Sequence, residues 1–311
     1  MIRYFRTVAD QLKELEGPEA GCWAHAIAPT PGELEQLHCS MGAPLDFLQA
    51  ALDEEESARI DVEDGCTLLV IDIPTVEAEN AAYLYSTLPM GIVLTADSLV
   101  TVCTRESPVF NDLIEQRVRG GVHTSKRTRF ILQLLGRVTG RFLSYLKQID
   151  KASIRVENEL HKSMKNKELI QMLKLEKSLV FFSTSIKGNE VVLERMLRQE
   201  HIQKYPEDAE LLEDVIIENK QAMEMCGIYR DILSGTMDAF ASIISNNLNI
   251  VMKVMTSLSL VLSVPTLVAS IWGINVPLPF ANDPNGFLIV MGISLVLALA
   301  AFTVLWRKKM F

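Results

Sequence analysis

Two long apolar stretches near the C-terminus constrain this chain more than any other feature. Residues 254–272 contain no charged side chain over 19 positions, and residues 286–306 contain none over 21. The hydrocarbon core of a bilayer is about 30 Å thick and is crossed by roughly 20 apolar helical residues, so each stretch is long enough to span it. We therefore predict a two-span membrane hairpin that follows a large soluble region. The alternative is a pair of buried core helices, which rarely run as two uncharged full-length segments in succession.

Charge is unevenly distributed along the chain. The formal net charge is -9, yet residues 251–311 sum to +3, so the first 250 residues carry -12. This acidic balance argues against nucleic acid as a partner and favours cations. The loop of residues 275–285 has no Lys or Arg, whereas basic residues flank the spans, which predicts a plasma-membrane protein with both termini in the cytoplasm. These flanking residues are Lys253, Arg307, Lys308 and Lys309.

The soluble region changes in character near residue 105. Residues 1–105 alternate short β-rich runs with brief helical patterns, which predicts a cytoplasmic α/β domain. The predicted strands are residues 22–28, 67–74, 83–95 and 99–104, and the predicted helices are residues 32–38 and 45–52. Gly and Pro become rare in residues 106–250, which predicts a helical stalk domain, and residues 251–311 form the predicted transmembrane domain. The predicted fold class is thus an α+β membrane protein.

Three long helices are predicted beyond the α/β domain, over residues 127–161, 168–199 and 207–272. At 1.5 Å per residue the third helix would be on the order of 100 Å long. No single globular domain contains such a rod, so we expect it to be supported by sister subunits in a parallel homo-oligomer.

The first span carries a polar stripe at helical spacing. Seven residues recur at alternating intervals of three and four positions, a period of 3.5 that places them on one helix face. They are Asn249, Met252, Thr256, Ser259, Ser263, Thr266 and Ser270. Such a face meets either another helix or a water-filled path, because lipid offers hydroxyl groups no partner. Helix packing and pore lining both stay open, and one striped helix per chain encloses a path only in an oligomer around a central pore.

The stripe ends at Trp272-Gly273-Ile274-Asn275, which resembles the aromatic-Gly-Met-Asn signature of the CorA family of magnesium and divalent-cation transporters. The resemblance extends back to Leu-Glu-Asp-Val at 212–215 and Arg-Asp-Ile-Leu-Ser-Gly at 230–235, which are similar to the family's stalk helix. Two departures stand out. Ile274 occupies the usual Met position, and the following loop lacks a Met-Pro-Glu sequence, so that Asp283 is its only acidic residue.

The resemblance implies a homopentameric channel that moves hydrated divalent cations, most of all Mg²⁺, down the membrane potential and is gated by cytoplasmic divalent cation. Gly273, Ile274 and Asn275 would form the selectivity filter, where neutral amide oxygens suit an ion that dehydrates reluctantly. Two alternatives stay open. One is a proton-coupled zinc, nickel or cobalt transporter of the same fold, and the other is a membrane-anchored metal sensor or scaffold that conducts nothing.

Further site residues are predicted at the inner end of the pathway and in the soluble region. Met252 and Met255 form a candidate apolar gate, with lipid or helix packing as the alternative. The resemblance implies that four basic residues form a collar around the cytoplasmic exit, with a role in topology alone as the alternative; they are Lys253, Arg307, Lys308 and Lys309. By the same resemblance, Asp214 is implied to bind regulatory Mg²⁺ between subunits, with Asp53 or Glu54 as its partner, and Asp238 is a second candidate that would concentrate ions below the membrane. Ordinary solvated carboxylates are the alternative for these acids.

An enzyme is not predicted. The five histidines are scattered and are expected on the surface. The five cysteines include no CxxC pair and are expected to be buried free thiols. No Walker A or glycine-rich phosphate loop is present, so no organic cofactor is expected.

Overall fold

The computed structural model describes residues 1–79, 82–115, 117, 121–163, 166–198, 205–274, 279, 284–308 and 310. Its strands are β1 (Ile2–Val8), β2 (Gln11–Leu15), β3 (Trp23–Ile27), β4 (Arg59–Glu63), β5 (Cys66–Glu79), β6 (Ala82–Leu94) and β7 (Leu99–Cys103). Its helices are α1 (Pro31–Met41), α2 (Leu45–Ala50), α3 (Pro108–Ile114), α4 (Arg127–Ser163), α5 (Asn166–Arg198), α6 (Pro206–Trp272) and α7 (Gly286–Arg307).

The seven strands form one mixed sheet in the order β2-β1-β3-β7-β6-β5-β4. Only β3 and β7 run parallel within this described sheet, and the other neighbours are antiparallel. The four predicted strands are confirmed as β3, β5, β6 and β7, and the two predicted short helices as α1 and α2. Strands β1, β2 and β4 and helix α3 were not predicted from the sequence.

Helices cover both faces of the sheet because successive strand residues point to opposite sides. On one face, Leu37 of α1 and Leu48 of α2 are buried in a cluster with Val100 of β7. On the other face, Trp23 of β3 packs against Phe110 of α3 and Phe130 of α4, with ring centroids 6.3 and 4.9 Å apart. Apolar burial on two faces, which is the main favourable term in folding, therefore holds the sheet between two helical layers.

Two expectations for single residues are wrong. His25 is not on the surface but buried against Phe110, with ring centroids 3.9 Å apart, and its Nδ1 lies 2.9 Å from the Thr101 hydroxyl oxygen. Burial lowers the pKa of His25 to about 3, so the imidazole is neutral and is a core residue. Cys39 is exposed, whereas the other four cysteines are buried as expected. All five are free thiols.

Helix α5 is fixed to the sheet by polar side chains as well as by apolar burial. Ser178 accepts a hydrogen bond of 3.0 Å from the Tyr85 backbone N–H. Asn189 accepts from the Asp72 N–H and donates to the Asp72 carbonyl, both at 2.8 Å. These bonds satisfy strand backbone groups that would be costly to bury unpaired. Burial also raises the pKa of the Asp72 carboxyl, and a hydrogen bond from Ser185 acts in the opposite direction.

The chain divides into two compact units, Met1–Thr236 and Met237–Phe311. The long helices predicted over residues 127–161, 168–199 and 207–272 are confirmed as α4, α5 and α6. The boundaries predicted after residues 105 and 250 stay predictions.

The second unit contains the last part of α6 and the whole of α7. Both helices are long and apolar enough to cross a membrane, and their apolar segments are almost entirely exposed. The alternative that these segments are buried core helices does not agree with their exposure. The apolar side chains require lipid or other copies of the chain to cover them.

Candidate ion pathway

The polar stripe predicted on α6 forms one exposed face of the helix. All seven of its residues, from Asn249 to Ser270, are exposed. Ser257 and Val268, which lie on a different side of the helix, are buried instead, and the Ser257 hydroxyl donates to the Met310 carbonyl at 3.3 Å. Within the second unit, α6 therefore has one packed side, and the polar stripe lies on the opposite side.

Three hydroxyl groups of the stripe share a geometry that the sequence did not reveal. Ser263 donates to the Ser259 carbonyl at 2.7 Å, Thr266 to the Leu262 carbonyl at 3.1 Å, and Ser270 to the Thr266 carbonyl at 2.8 Å. Each hydroxyl hydrogen is thus used within the helix, and the oxygen lone pairs remain available. This face offers acceptors, which suits the hydrogens of water molecules bound to a cation.

The stripe leads to an open groove of about 670 Å³ at the C-terminal end of α6. Its lining residues are Leu262, Ser263, Thr266, Leu267, Ser270, Ile271 and Ile274. The helix closes with the Gly273 N–H donating to the Ala269 carbonyl at 3.0 Å, and Ile274 is exposed beyond it. A Cβ on Gly273 would meet only ordinary contacts within the chain, so the fold of one chain does not require glycine there. Asn275, the third filter residue, lies outside the described residues.

The start of the apolar segment of α6 brings several predicted residues together. Met252 and Met255 are 57% and 59% exposed, one helical turn apart. The bond from Ser257 to Met310 holds the basic tail against α6, one turn from Lys253. Arg307 and Lys308 are exposed in this tail, so cationic side chains lie near the start of the apolar segment of α6. Lys309 lies outside the described residues.

Asp214 lines a cleft of about 760 Å³ in the first unit, between α4 and α6. The charged residues of this cleft are Asp112, Arg129, Arg137, Arg141, Asp214 and Glu218. Arg141 pairs with Asp112 at 3.2 Å, and Arg137 donates to the Arg117 carbonyl at 3.0 Å. A Cβ on Gly136 would lie 3.4 Å from a methyl of Val215, which is ordinary contact, so α4 and α6 pack closely beside this cleft. These arginines were not predicted as part of the site, because they belong to a helix far from Asp214 in sequence.

None of the other predicted metal ligands lines the Asp214 cleft. Glu54 pairs with Arg105 at 3.6 Å, and Asp53 accepts a hydrogen bond from the Glu55 N–H at 3.0 Å. Neither lines the Asp214 cleft, and Asp238 is exposed in the second unit. Among the residues that the structure describes, no group of three or more Asp, Glu, His or Cys side chains is arranged to hold a metal ion.

Comparison with known proteins fits this architecture. The profile of the CorA family, described as CorA-like Mg²⁺ transporter protein, matches residues 18–309. The chain belongs to the CorA family. It is therefore a member of a family of Mg²⁺ and Co²⁺ transporters, consistent with a membrane protein that is not an enzyme.

Individual CorA proteins resemble the chain over most of its length. It is 26% identical to a cobalt/magnesium transport protein CorA of Methanocaldococcus jannaschii over 300 residues, covering 92% of this chain and 90% of that protein. Identity to the corresponding protein of Thermotoga maritima is 23% over 266 residues, covering 84% and 75%. The complete structure of the M. jannaschii CorA magnesium transporter superposes with a TM-score of 0.84 at 23% identity, covering 99% and 98% of the two chains.

Proposed function

We propose that this CorA protein is a homopentameric plasma-membrane channel that admits hydrated Mg²⁺ into the cytoplasm. The observation that carries the proposal is the exposed face of α6, whose hydroxyl oxygens keep free lone pairs along the approach to Gly273-Ile274-Asn275. Mg²⁺ holds its water shell tightly, so a wall of neutral acceptors can guide the hydrated ion without stripping it. One chain supplies one such wall, and a ring of copies with α6 innermost encloses the path.

The membrane potential supplies the driving force in this proposal. With both termini in the cytoplasm, the Asn275 end of α6 faces outside. A divalent cation gains about 4.6 kcal/mol per 100 mV of inside-negative potential, twice the value for one charge. A ring of Asn275 amide oxygens would receive the ion, and no nucleotide would be consumed.

A gate and a collar would control the inner end. Met252 and Met255 are exposed apolar side chains, and copies of them around an axis would form a constriction that loses water when closed. Lys253, Arg307, Lys308 and Lys309 would surround the exit and oppose cation passage until the stalk moves.

Cytoplasmic Mg²⁺ would close the channel by binding to acidic residues between copies. Asp214 would be bridged by a divalent cation to Asp53 or Glu54 of a second copy, and Asp238 would concentrate ions below the membrane. Arg137 and Arg141 line the same cleft as Asp214, and their positive charge weakens cation binding there. A bound ion would therefore depend on carboxylates that the second copy contributes, which makes it specific for the assembled closed state.

The decisive experiment measures Mg²⁺ uptake into proteoliposomes that contain Asn275→Ala. We expect uptake to be abolished with assembly intact, because the change removes the amide oxygen that is proposed to meet the hydrated ion at the entrance. Asn158→Ala makes the same chemical change on an exposed part of α4 and should conduct normally. Wild-type uptake by assembled Asn275→Ala would refute the filter.

The same vesicles separate the remaining functions. Uptake of Zn²⁺, Ni²⁺ or Co²⁺ that requires a pH gradient would support the proton-coupled transporter. Ile274 at the usual Met position is the departure from the family signature that bears on this alternative. Absence of flux for every ion would support the sensor or scaffold.

A further inference from the structure

A pocket of about 290 Å³ lies in the first unit, where the first turn of α4 meets the first turn of α6. The start of β5 and the turn between β6 and β7 complete its wall. We call it the α4 pocket and define it by Lys126, Arg127, Thr128, Arg129 and Asp208, which line it. None of the described residues proposed to conduct ions or to bind regulatory Mg²⁺ lines this pocket, so a ligand bound here would be separate from the transported ion.

Three backbone N–H groups at the start of α4 are without an acceptor among the described residues. They belong to Arg127, Thr128 and Arg129, all of which line the pocket. The first turn of α4 has no acidic residue, although the helix dipole places partial positive charge at this end and favours a carboxylate there. Lys126 and the two arginines add further positive charge. The start of α4 therefore favours an anion.

The three basic side chains of the pocket are held in different ways. Arg127 donates to two backbone carbonyls of the turn that follows β6, and thereby fixes the start of α4 against the sheet. Arg129 pairs at 3.1 Å with Glu207, whose side chain is exposed. Lys126 is exposed and has no carboxylate within 4.0 Å in the part of the chain that the structure describes. Its ammonium group is therefore available to a ligand.

A buried carboxylate lines the same pocket. Asp208, in the first turn of α6, is 3% exposed, and its side chain makes no hydrogen bond or ion pair with any described residue. Burial raises the pKa of this carboxyl, and the positive charges of Arg129 and Lys126 offset only part of the effect. An unpaired carboxylate is costly to bury, so a ligand that donates a hydrogen bond to Asp208 would be favoured.

We propose that the α4 pocket binds inorganic phosphate in the form that still carries one hydrogen. The N–H groups at the start of α4 and the Lys126 ammonium donate to phosphate oxygens, and the phosphate O–H donates to the Asp208 carboxylate. Sulfate has the same shape and charge but no hydrogen at neutral pH, so its oxygen would be repelled by that carboxylate. Asp208 therefore selects phosphate over sulfate, whereas the donors of α4 attract either anion.

A phosphate monoester is the other source of the same chemical group. Its last hydrogen is lost at about pH 6, so at neutral pH most of a monoester has no hydrogen to donate. Inorganic phosphate retains one hydrogen at this pH. The carboxylate of Asp208 therefore favours inorganic phosphate over a monoester such as AMP at neutral pH, and this preference should weaken in more acidic solution.

The test measures anion binding to the full-length protein in detergent by isothermal titration calorimetry, at constant ionic strength and without Mg²⁺. At neutral pH we expect phosphate to bind at least about tenfold more tightly than sulfate, because a hydrogen bond to a charged group replaces a repulsion. AMP should bind weakly at neutral pH and more tightly at about pH 6, where it regains its hydrogen.

Two substitutions separate selection from attraction. Asp208→Asn introduces an amide that can donate as well as accept, so sulfate should then bind as tightly as phosphate. A merely structural role of Asp208 would not change this ratio. Lys126→Gln should weaken both anions by roughly fivefold and keep their ratio. Lys147→Gln removes the same charge from an exposed position farther along α4 and should change neither affinity.

Three results would overturn the proposal. The first is equal affinity of the wild-type protein for phosphate and sulfate, or no binding of either at millimolar concentration. The second is a preference for phosphate that survives Asp208→Asn. The third is tighter binding of AMP than of phosphate at neutral pH, which would assign the pocket to a phosphate ester instead.

Discussion

The two halves of α6 differ in where their polar side chains lie. In the first unit, Asn219 and Cys226 point inward and bond to carbonyls of α5, while apolar residues such as Leu212 and Val215 are buried beside them. In the second unit, Ser263 and the rest of the stripe are exposed, and so are most large apolar residues. The first half is therefore stabilised within one chain, whereas the second half depends on lipid and on further copies.

The largest expected effect tests this contrast with one substitution at two places. Leu37→Ala in α1 removes a fully buried side chain from the core of the first unit, and should cost about 2–5 kcal/mol of unfolding free energy. Leu295→Ala in α7, where the side chain is 62% exposed, leaves no cavity within the chain and should cost far less. Thermal unfolding of the detergent-solubilised variants measures both. Equal losses would show that α7 has a packed core of its own.

A glycine pair gives a smaller effect of the same kind. A Cβ on Gly91 in β6 would lie 2.6 Å from the Cβ of Ala51, so Gly91→Ala should destabilise the first unit by about 1–3 kcal/mol through overpacking. Gly292 in α7 has no atom within 4 Å of the corresponding position, and Gly292→Ala should leave the melting temperature nearly unchanged. A large loss in the second variant would reveal close packing by a neighbouring copy.

The smallest effect concerns the pH dependence of the first unit. Because burial raises the pKa of Asp72 in the folded state, the folded protein holds this proton more tightly than the unfolded chain. The stabilisation is complete below the unfolded pKa of about 3.9 and is lost as pH rises through the folded pKa. Asp72→Asn should therefore raise stability at neutral pH and lose its advantage near pH 4, as followed by denaturant unfolding. A stability difference between variant and wild type that stays constant from neutral pH to pH 4 would show that titration of Asp72 does not affect stability.

Apolar strands were predicted from the sequence, whereas strands with alternating charges were not. Strands β3, β5, β6 and β7 are apolar and were found, whereas β1 and β2 carry alternating charges such as Arg3 and Glu14, which pair across the strands at 2.8 Å. Their turn uses Ala9 and Asp10 with positive φ angles, without the usual Asn or Gly. The turn before β5 is Asp64-Gly65, a typical hairpin signal that should have identified β4.

The candidate site, too, was predictable from the sequence only in part. The stripe was predictable because a single helix fixes which residues share a face, so spacing alone was sufficient. The cleft around Asp214 was not, because Arg137 and Arg141 reach it from α4 and Asp112 reaches it from α3. The bonds of Ser263 and Ser270 to their own helix also required coordinates, since the sequence does not specify side-chain rotamers.

The central claim is that the exposed stripe of α6 lines a water-filled path, and cysteine accessibility tests it most directly. Ser263→Cys and Ser270→Cys are nearly isosteric changes on the stripe, whereas Leu258→Cys and Ala269→Cys are exposed positions on another side of α6. In Cys39→Ser proteoliposomes, a membrane-impermeant cationic thiol reagent should block Mg²⁺ uptake through the two stripe variants and leave the other two unaffected. Block at Leu258→Cys and Ala269→Cys, with uptake through the stripe variants unchanged, would contradict the account.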